Sequence, residues 1–193
     1  GLWLVRAGGR VERVPLPGDA RDAVWIGDDL FVADDGDGVL RVAVGAEAAR
    51  VTHRDTSLRY AISIAAVGAR LFVGLRDKRV VALDSSTAAP VVLGEVSLVT
   101  RPARLDVGDG RLLAASGSLA DAGATWLDVS AGGAPRDAGR LPFGATAGAP
   151  LGPGRWIVAR REHGLSLLDT TGGAAALSHV EGVRFDRLAP GAV

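Results

Sequence analysis

A β-propeller of four-stranded antiparallel blades is the fold this sequence predicts, and three observations predict it. Short apolar strands recur at a nearly fixed spacing, turn residues bound each recurrence, and no long window sustains helical periodicity. The clearest strand of each unit follows a Gly or Gly/Asp turn: LFVAD from Leu30, LFVGL from Leu71, LLAAS from Leu112 and WIVAR from Trp156. Their starts lie 41, 41 and 44 residues apart.

Three further strands fall around each of these. A short apolar segment precedes it: DAVWI from Asp22, AISIAAV from Ala61, ARLDV from Ala103 and AGAPL from Ala147, with VRFDRLA from Val183 as a fifth copy. A second apolar strand follows after a polar connection: LRVAV from Leu40, VVALD from Val80, ATWLD from Ala124 and LSLLD from Leu165, with LWLVR from Leu2 in the same slot. A more polar strand closes the unit: VERVPL, ARVTHR, PVVLGEV, PRDAGRL and AALSHV. Four strands in about 40 to 45 residues, repeated in tandem, make a propeller blade, in which radial stacking shields sheet edges from other chains.

Residues 1–193 thus read as one all-β propeller domain. Four near-complete repeats occupy approximately 22–58, 59–100, 101–144 and 145–181, and a split blade draws on 1–18 and 182–193. The split blade lacks its second strand, roughly a dozen residues at this repeat length. Either about five blades close with a defective seam, or the chain is an excerpt of a longer propeller. The excerpt is the expectation.

Composition narrows the function classes. Twenty-two basic and 22 acidic side chains cancel, so no net field draws nucleic acid or anionic lipid over long range. Cysteine is absent, which excludes disulfides, thiolate metal sites and a cysteine nucleophile. Asn and Gln are absent as well, and polar recognition falls to Asp, Glu, Arg, Ser, Thr and the backbone. The longest apolar run, near Ala61 to Ala69, is far short of the ~20 residues needed to cross a bilayer. No membrane insertion is expected.

LRVAV, VVALDSSTAAPVVLGEV and TWLDVSAGGAPRDAGRL resemble the repeats of the LVIVD-repeat propellers: a strand ending in Tyr-Val-Ala, a turn, Leu-x-Val-x-Asp-x-Ser, a Pro and a strand. The resemblance spans nearly the whole chain. Phe31, Phe72, Leu113 or Ile157 stands where that family has Tyr, and the closing Asp gives way to Val44 and Arg6. What the resemblance implies is a bacterial or archaeal propeller, often at the cell surface and outside the cytoplasm, without a common catalytic residue set.

The stretch GDDLFVADDGDGVLRVAV, residues 27 to 44, holds the densest cluster of carboxylates. Asp34, Asp35 and Asp37 interleave with Gly36 and Gly38 between two strands, where Asp-Gly steps supply the positive φ of a tight hairpin. A calcium loop of the EF-hand kind needs alternating carboxylates and a distant bidentate Glu, and no such Glu follows. The stretch reads as a turn, with a weak calcium site as the alternative.

Equivalent turns of all blades emerge on one side of a propeller. That face would display Asp34, Asp35, Asp37, Arg76, Asp77, Lys78, Arg160, Arg161, Glu162 and His163, either as a solvated rim or as a surface that binds another protein. His53 and His179 fall on outermost strands of different blades, too far apart in a ring to share one metal, and His163 stands alone in a turn, so a histidine metal centre is not expected. No Gly-x-Ser-x-Gly elbow is present, and the glycine-rich pieces lack the strand-to-helix setting of a phosphate cradle. Trp3, Trp25, Trp126 and Trp156 all occupy apolar strand slots, so each is expected to pack between blades.

The reading at this level is a non-catalytic binding or scaffolding module with no cofactor, no metal and an unidentified protein partner. The alternative is a propeller enzyme, hydrolase, lyase or dehydrogenase-like, with an acidic or metal-assisted site in the central channel. Asp22, Arg104, Asp106, Arg184 and Asp186 are the innermost-strand candidates for it.

Overall fold

The computed structural model describes residues 1–117, 123–160 and 164–170, and the backbone of 175–180. Four four-stranded antiparallel sheets and one two-stranded sheet make up these residues. The two-stranded sheet is β1 (Leu2–Val5) with β2 (Val11–Val14). Blade 1 is β3 (Ala20–Ile26), β4 (Asp29–Asp34), β5 (Gly38–Val44) and β6 (Ala49–Asp55). Blade 2 is β7 (Ala61–Val67), β8 (Arg70–Leu75), β9 (Arg79–Asp84) and β10 (Val91–Ser97). Blade 3 is β11 (Arg104–Gly108), β12 (Arg111–Ala115), β13 (Ala124–Asp128) and β14 (Arg136–Leu141), and blade 4 is β15 (Ala147–Gly152), β16 (Arg155–Ala159), β17 (Leu165–Asp169) and β18 (Ala175–Val180). Within every blade the strands pair in chain order, as successive hairpins demand.

The period-2 alternation of a strand explains why the blades stack side by side. In β4, Phe31 and Ala33 enter the core shared with blade 2, while Leu30 and Val32 enter the core shared with β1 and β2. In β8, Leu71 and Val73 face blade 1 and Phe72 faces blade 3. A middle strand therefore buries both faces, and β4, β8 and β12 read as unbroken apolar runs for that reason. The innermost strands β3, β7, β11 and β15 touch in series around an axis. The fold is an all-β propeller arrangement.

Only half of the tryptophan expectation holds. Trp126 of β13 and Trp156 of β16 are buried between blades 3 and 4, edge to face with centroids 4.8 Å apart. Trp3 and Trp25 are instead 61% and 52% exposed. The cause is register. Trp25 pairs with Leu30 and shares its face, but β1 and β2 cover Leu30, Val32, Leu40 and Val42 without reaching it. Trp3 lies on the opposite face of its sheet from buried Leu4.

Innermost strands have an unpaired edge, and side chains bind that edge to the next blade. Asp22 accepts from the Ile64 amide (3.1 Å), Ser63 donates to the Pro102 carbonyl (2.6 Å), and Asp106 accepts from the Gly148 amide (2.8 Å). Each spans roughly one repeat. Asp84 and Asp128 close the third strands of blades 2 and 3 in another way, accepting from the amides of Ser86 and Ser130, both 2.9 Å. The Ser86 amide holds the Asp84 carboxyl below its usual range, and the Ser130 hydroxyl (2.6 Å), with the Ser130 amide, does the same for Asp128. The Asp-x-Ser of the repeat is thus a turn cap at these positions.

Candidate functional site

The hairpin expectation for residues 34 to 38 is met by geometry. Asp34 ends β4, the Asp37 amide donates back to its carbonyl (2.6 Å), and Gly38 opens β5 with φ of 83°. A Cβ at Gly38 would strike the Asp55 carbonyl, so glycine is required there, while Gly36 has neither a positive φ nor a close neighbour. Among the described residues no group of three or more His, Asp or Glu gathers as a metal site.

Where the structure departs from expectation is in the burial of that turn. Asp34 is fully buried and Asp35 is 9% exposed, so neither is displayed on the turn face. Asp34 Oδ2 accepts from the Gly18 amide (3.1 Å), and Oδ1 has no hydrogen-bond partner. Burial raises its carboxyl above the usual range, and the Gly18 bond opposes that only in part. Asp37 pairs with Arg54. The turn is folded inward because its polar atoms serve neighbouring loops.

Backbone bonds run from this turn to the next one. Tyr60, at φ of 68° in the link between blades 1 and 2, donates its amide to the Asp35 carbonyl, and its own carbonyl accepts from the Arg76 amide (3.0 Å). In blade 2 the Leu98 amide likewise donates to the Lys78 carbonyl (2.7 Å). Arg76, Asp77 and Lys78 are exposed on this face. Arg160 lies with its guanidinium 4.2 Å from the Phe143 ring centroid. Arg161, Glu162 and His163 lie outside the described residues, as do Arg184 and Asp186. Of the predicted face, Arg76, Asp77 and Lys78 are successive exposed residues of one turn, tied at its two ends through the Arg76 amide and the Lys78 carbonyl.

Among the described residues, two cavities are lined by residues of the innermost strands and their neighbours. The first, about 270 Å³, is walled by Asp22, Arg104 and Asp106 among apolar residues that include Val24, Ile64, Val107 and Pro150. Its polar atoms are engaged: Asp22 accepts from Ala23 and Ile64, and Asp106 accepts from Arg104 Nε (2.9 Å) and from Gly148. Burial is the largest influence on the Asp106 carboxyl and raises it, against the Arg104 guanidinium.

The second cavity, about 190 Å³, is lined by Arg21, Ile62, Arg76, Arg101 and Ala103. It lies at one end of the innermost strands, and two of its lining residues sit at β-bulges. The pairing of β3 with β4 skips Arg21, and that of β7 with β8 skips Ile62 at the equivalent place. Bulges re-aim side chains in this manner. Asp35 Oδ2 accepts from Arg21 NH2 (3.0 Å) and from Arg76 NH2. Arg21 and Arg101 escaped the sequence reading, although Arg21 shares its repeat position with Ile62, and that alignment was the available signal.

This geometry defines the class as β-propeller, and likeness to solved propellers agrees. The chain resembles BamB from Moraxella catarrhalis at 13% identity, covering 86% of this chain and 49% of that one, with a TM-score of 0.64. It resembles the Cps50 (Swd1) β-propeller domain of Myceliophteria thermophila at 12% identity, covering 88% and 58%, with a TM-score of 0.64. It also resembles the hydrazine synthase of Kuenenia stuttgartiensis at 14% identity, covering 83% and 49%, with a TM-score of 0.65. The chain spans about half to three fifths of the solved chains it matches. No family model and no curated protein matches it. At such identities the likeness establishes the fold alone. Among the described residues no helix is long and apolar enough to cross a membrane.

Proposed function

We propose that the chain is a non-catalytic propeller module that binds a protein partner through the face of turns carrying Arg76, Asp77 and Lys78. The observation that carries this reading is the backbone relay from Asp35 through Tyr60 to Arg76. Turns fixed to one another before a partner arrives cost little ordering on binding. The LVIVD-repeat kinship, and with it a bacterial or archaeal surface setting, belongs to the same proposal. The turn caps at Asp84 and Asp128 support it by giving the Asp-x-Ser of the repeat a structural role.

The test is a pull-down from the source organism with the immobilised chain and two variants. Charge reversal at the turn, Asp77→Arg with Lys78→Glu, should abolish capture of a partner that Arg136→Glu on outer strand β14 still captures. Equal capture by both variants would remove the turn face from consideration.

A propeller enzyme with an acidic channel site is the second reading, favoured by Asp22 and Asp106 lining one cavity. It predicts a calcium-dependent rise in Tm that Asp106→Asn removes. No such rise, and no hydrolytic or lyase turnover, sets it aside.

A further inference from the structure

We propose that the mouth of the channel is an oxyanion site that takes a carboxylate side chain from an acidic segment of a protein partner. This rests on the binding-module reading and names the chemistry of the partner.

Charge imbalance at the mouth is the first ground. Arg21, Arg76 and Arg101 line one cavity of about 190 Å³. The carboxylates against them are Asp35, shared between Arg21 and Arg76, and Asp19, which is 66% exposed and pairs with Arg21 at 2.9 Å. The Arg101 carbonyl accepts from the Ala103 amide (2.9 Å), but its side chain has no hydrogen bond or ion pair among the described residues. Its five donors, with those Arg76 does not spend on Asp35, belong to residues that line this cavity and outnumber the carboxylates paired there.

Shape and chemistry favour a carboxylate on a chain. Asp35 already sits between two of these guanidiniums, so the arrangement fits a carboxylate. Ile62 and Ala103 complete the lining with apolar surface, which suits the methylene stem of a Glu and has nothing to offer a free hydrated phosphate. A nucleic acid fits poorly, since the whole chain is neutral with 22 charges of each sign. Arg21 and Ile62, the residues at the two bulges, both line this cavity. Arg76, exposed on the turn face and lining the mouth, joins the two surfaces.

The experiment is calorimetric titration of the full chain with the capped tetrapeptide Ac-Glu-Glu-Glu-Glu-NH2, its Gln counterpart and inorganic phosphate. The Glu peptide should bind with a Kd near or below about 1 mM at low salt. Arg101→Ala should weaken it about tenfold or more, and raising the salt should weaken it further. Ala103→Glu, which carries its own carboxylate into the cavity, should block the peptide in a folded protein even if Arg101→Ala proves unstable. The Gln peptide and phosphate should bind at least about tenfold more weakly.

Equal binding of the Gln peptide, unchanged affinity in both variants, or no binding of the Glu peptide overturns the proposal. Phosphate binding tighter than the peptide overturns the peptide source. If the peptide fails while the turn variant Asp77→Arg with Lys78→Glu still loses its partner, the binding-module reading survives and the oxyanion site alone falls.

Discussion

The wall of the channel and its mouth surround the same axis, yet they use charge in opposite ways. In the wall, the carboxylates of Asp22 and Asp106 and the hydroxyl of Ser63 are spent on the backbone of the next blade, and Arg104 is spent on Asp106. At the mouth, the guanidiniums of Arg21 and Arg76 share Asp35, Arg21 also pairs with the exposed Asp19, and the Arg101 side chain is left over. Polar residues of one ring therefore hold the propeller together, whereas those of the other remain available to a ligand. Variants in the wall should cost stability, and variants in the mouth should cost binding.

The sharpest test of the wall is Asp106→Ala. It leaves Arg104, whose side chain is 25% exposed, without its carboxylate, and the Gly148 amide without its acceptor. Breaking one side of a largely buried pair costs about 3 kcal/mol. Urea denaturation at neutral pH should show that loss, with the midpoint shifted and the slope retained. A loss below about 0.5 kcal/mol would place Asp106 with the mouth residues and erase the contrast.

Gly74→Ala probes the same ring without touching a charge. A Cβ there would collide with the Ser63 hydroxyl and lie 2.9 Å from the Pro102 carbonyl, the two ends of the staple between blades 2 and 3. Blades 1, 3 and 4 carry Ala33, Ala115 and Ala159 at this position, so only the Ser63 bond explains the glycine. The expected cost is about 2 kcal/mol. Combining it with Ser63→Ala should recover part of the loss, because the clash and the bond disappear together.

How much of this was legible in the sequence follows from range. The strands and their order were readable because apolar residues such as Leu30, Leu71 and Leu112 repeat every 41 positions and each alternation is local. Burial of Asp34 and Asp35 was not readable, since a run of carboxylates beside glycines looks the same whether its oxygens face water or Gly18. The fate of Trp25 depended on how far a neighbouring sheet extends. Staples such as Asp22 to Ile64 and Asp106 to Gly148 join residues 42 apart, close to one repeat, and no local pattern marks them. Arg101 sits in a link with no strand pattern at all, and only the folded mouth gives it a role.

Asp34→Asn separates a third behaviour, a buried carboxylate with one oxygen unpartnered. Its folded-state pKa is raised, mainly by burial. The ionised form is therefore disfavoured in the native state, and stability should grow as the pH falls through that raised value toward the unfolded one, then level off below both. Asn keeps an acceptor for the Gly18 amide and removes the charge. It should stabilise the protein by about 1 kcal/mol at pH 7. The gain should close at acid pH, where Asp34 is protonated in both states. A gain that persists unchanged to low pH would show that packing, and not charge, was relieved.

The smallest expected effect is the most informative for the mouth. Arg101 is exposed and its side chain has no hydrogen bond or ion pair among the described residues, so Arg101→Ala should move the urea midpoint by less than about 0.5 kcal/mol in free energy. Arg76→Ala should stay close to that figure, because Arg21 keeps its bonds to the Asp35 carboxylate. The same two variants should lose the Glu peptide. A residue that can be removed without cost to the fold, and yet takes the ligand with it, is held where it stands by function; if Arg101→Ala instead costs as much as Asp106→Ala, the mouth is a second ring of staples and the division between the two breaks down.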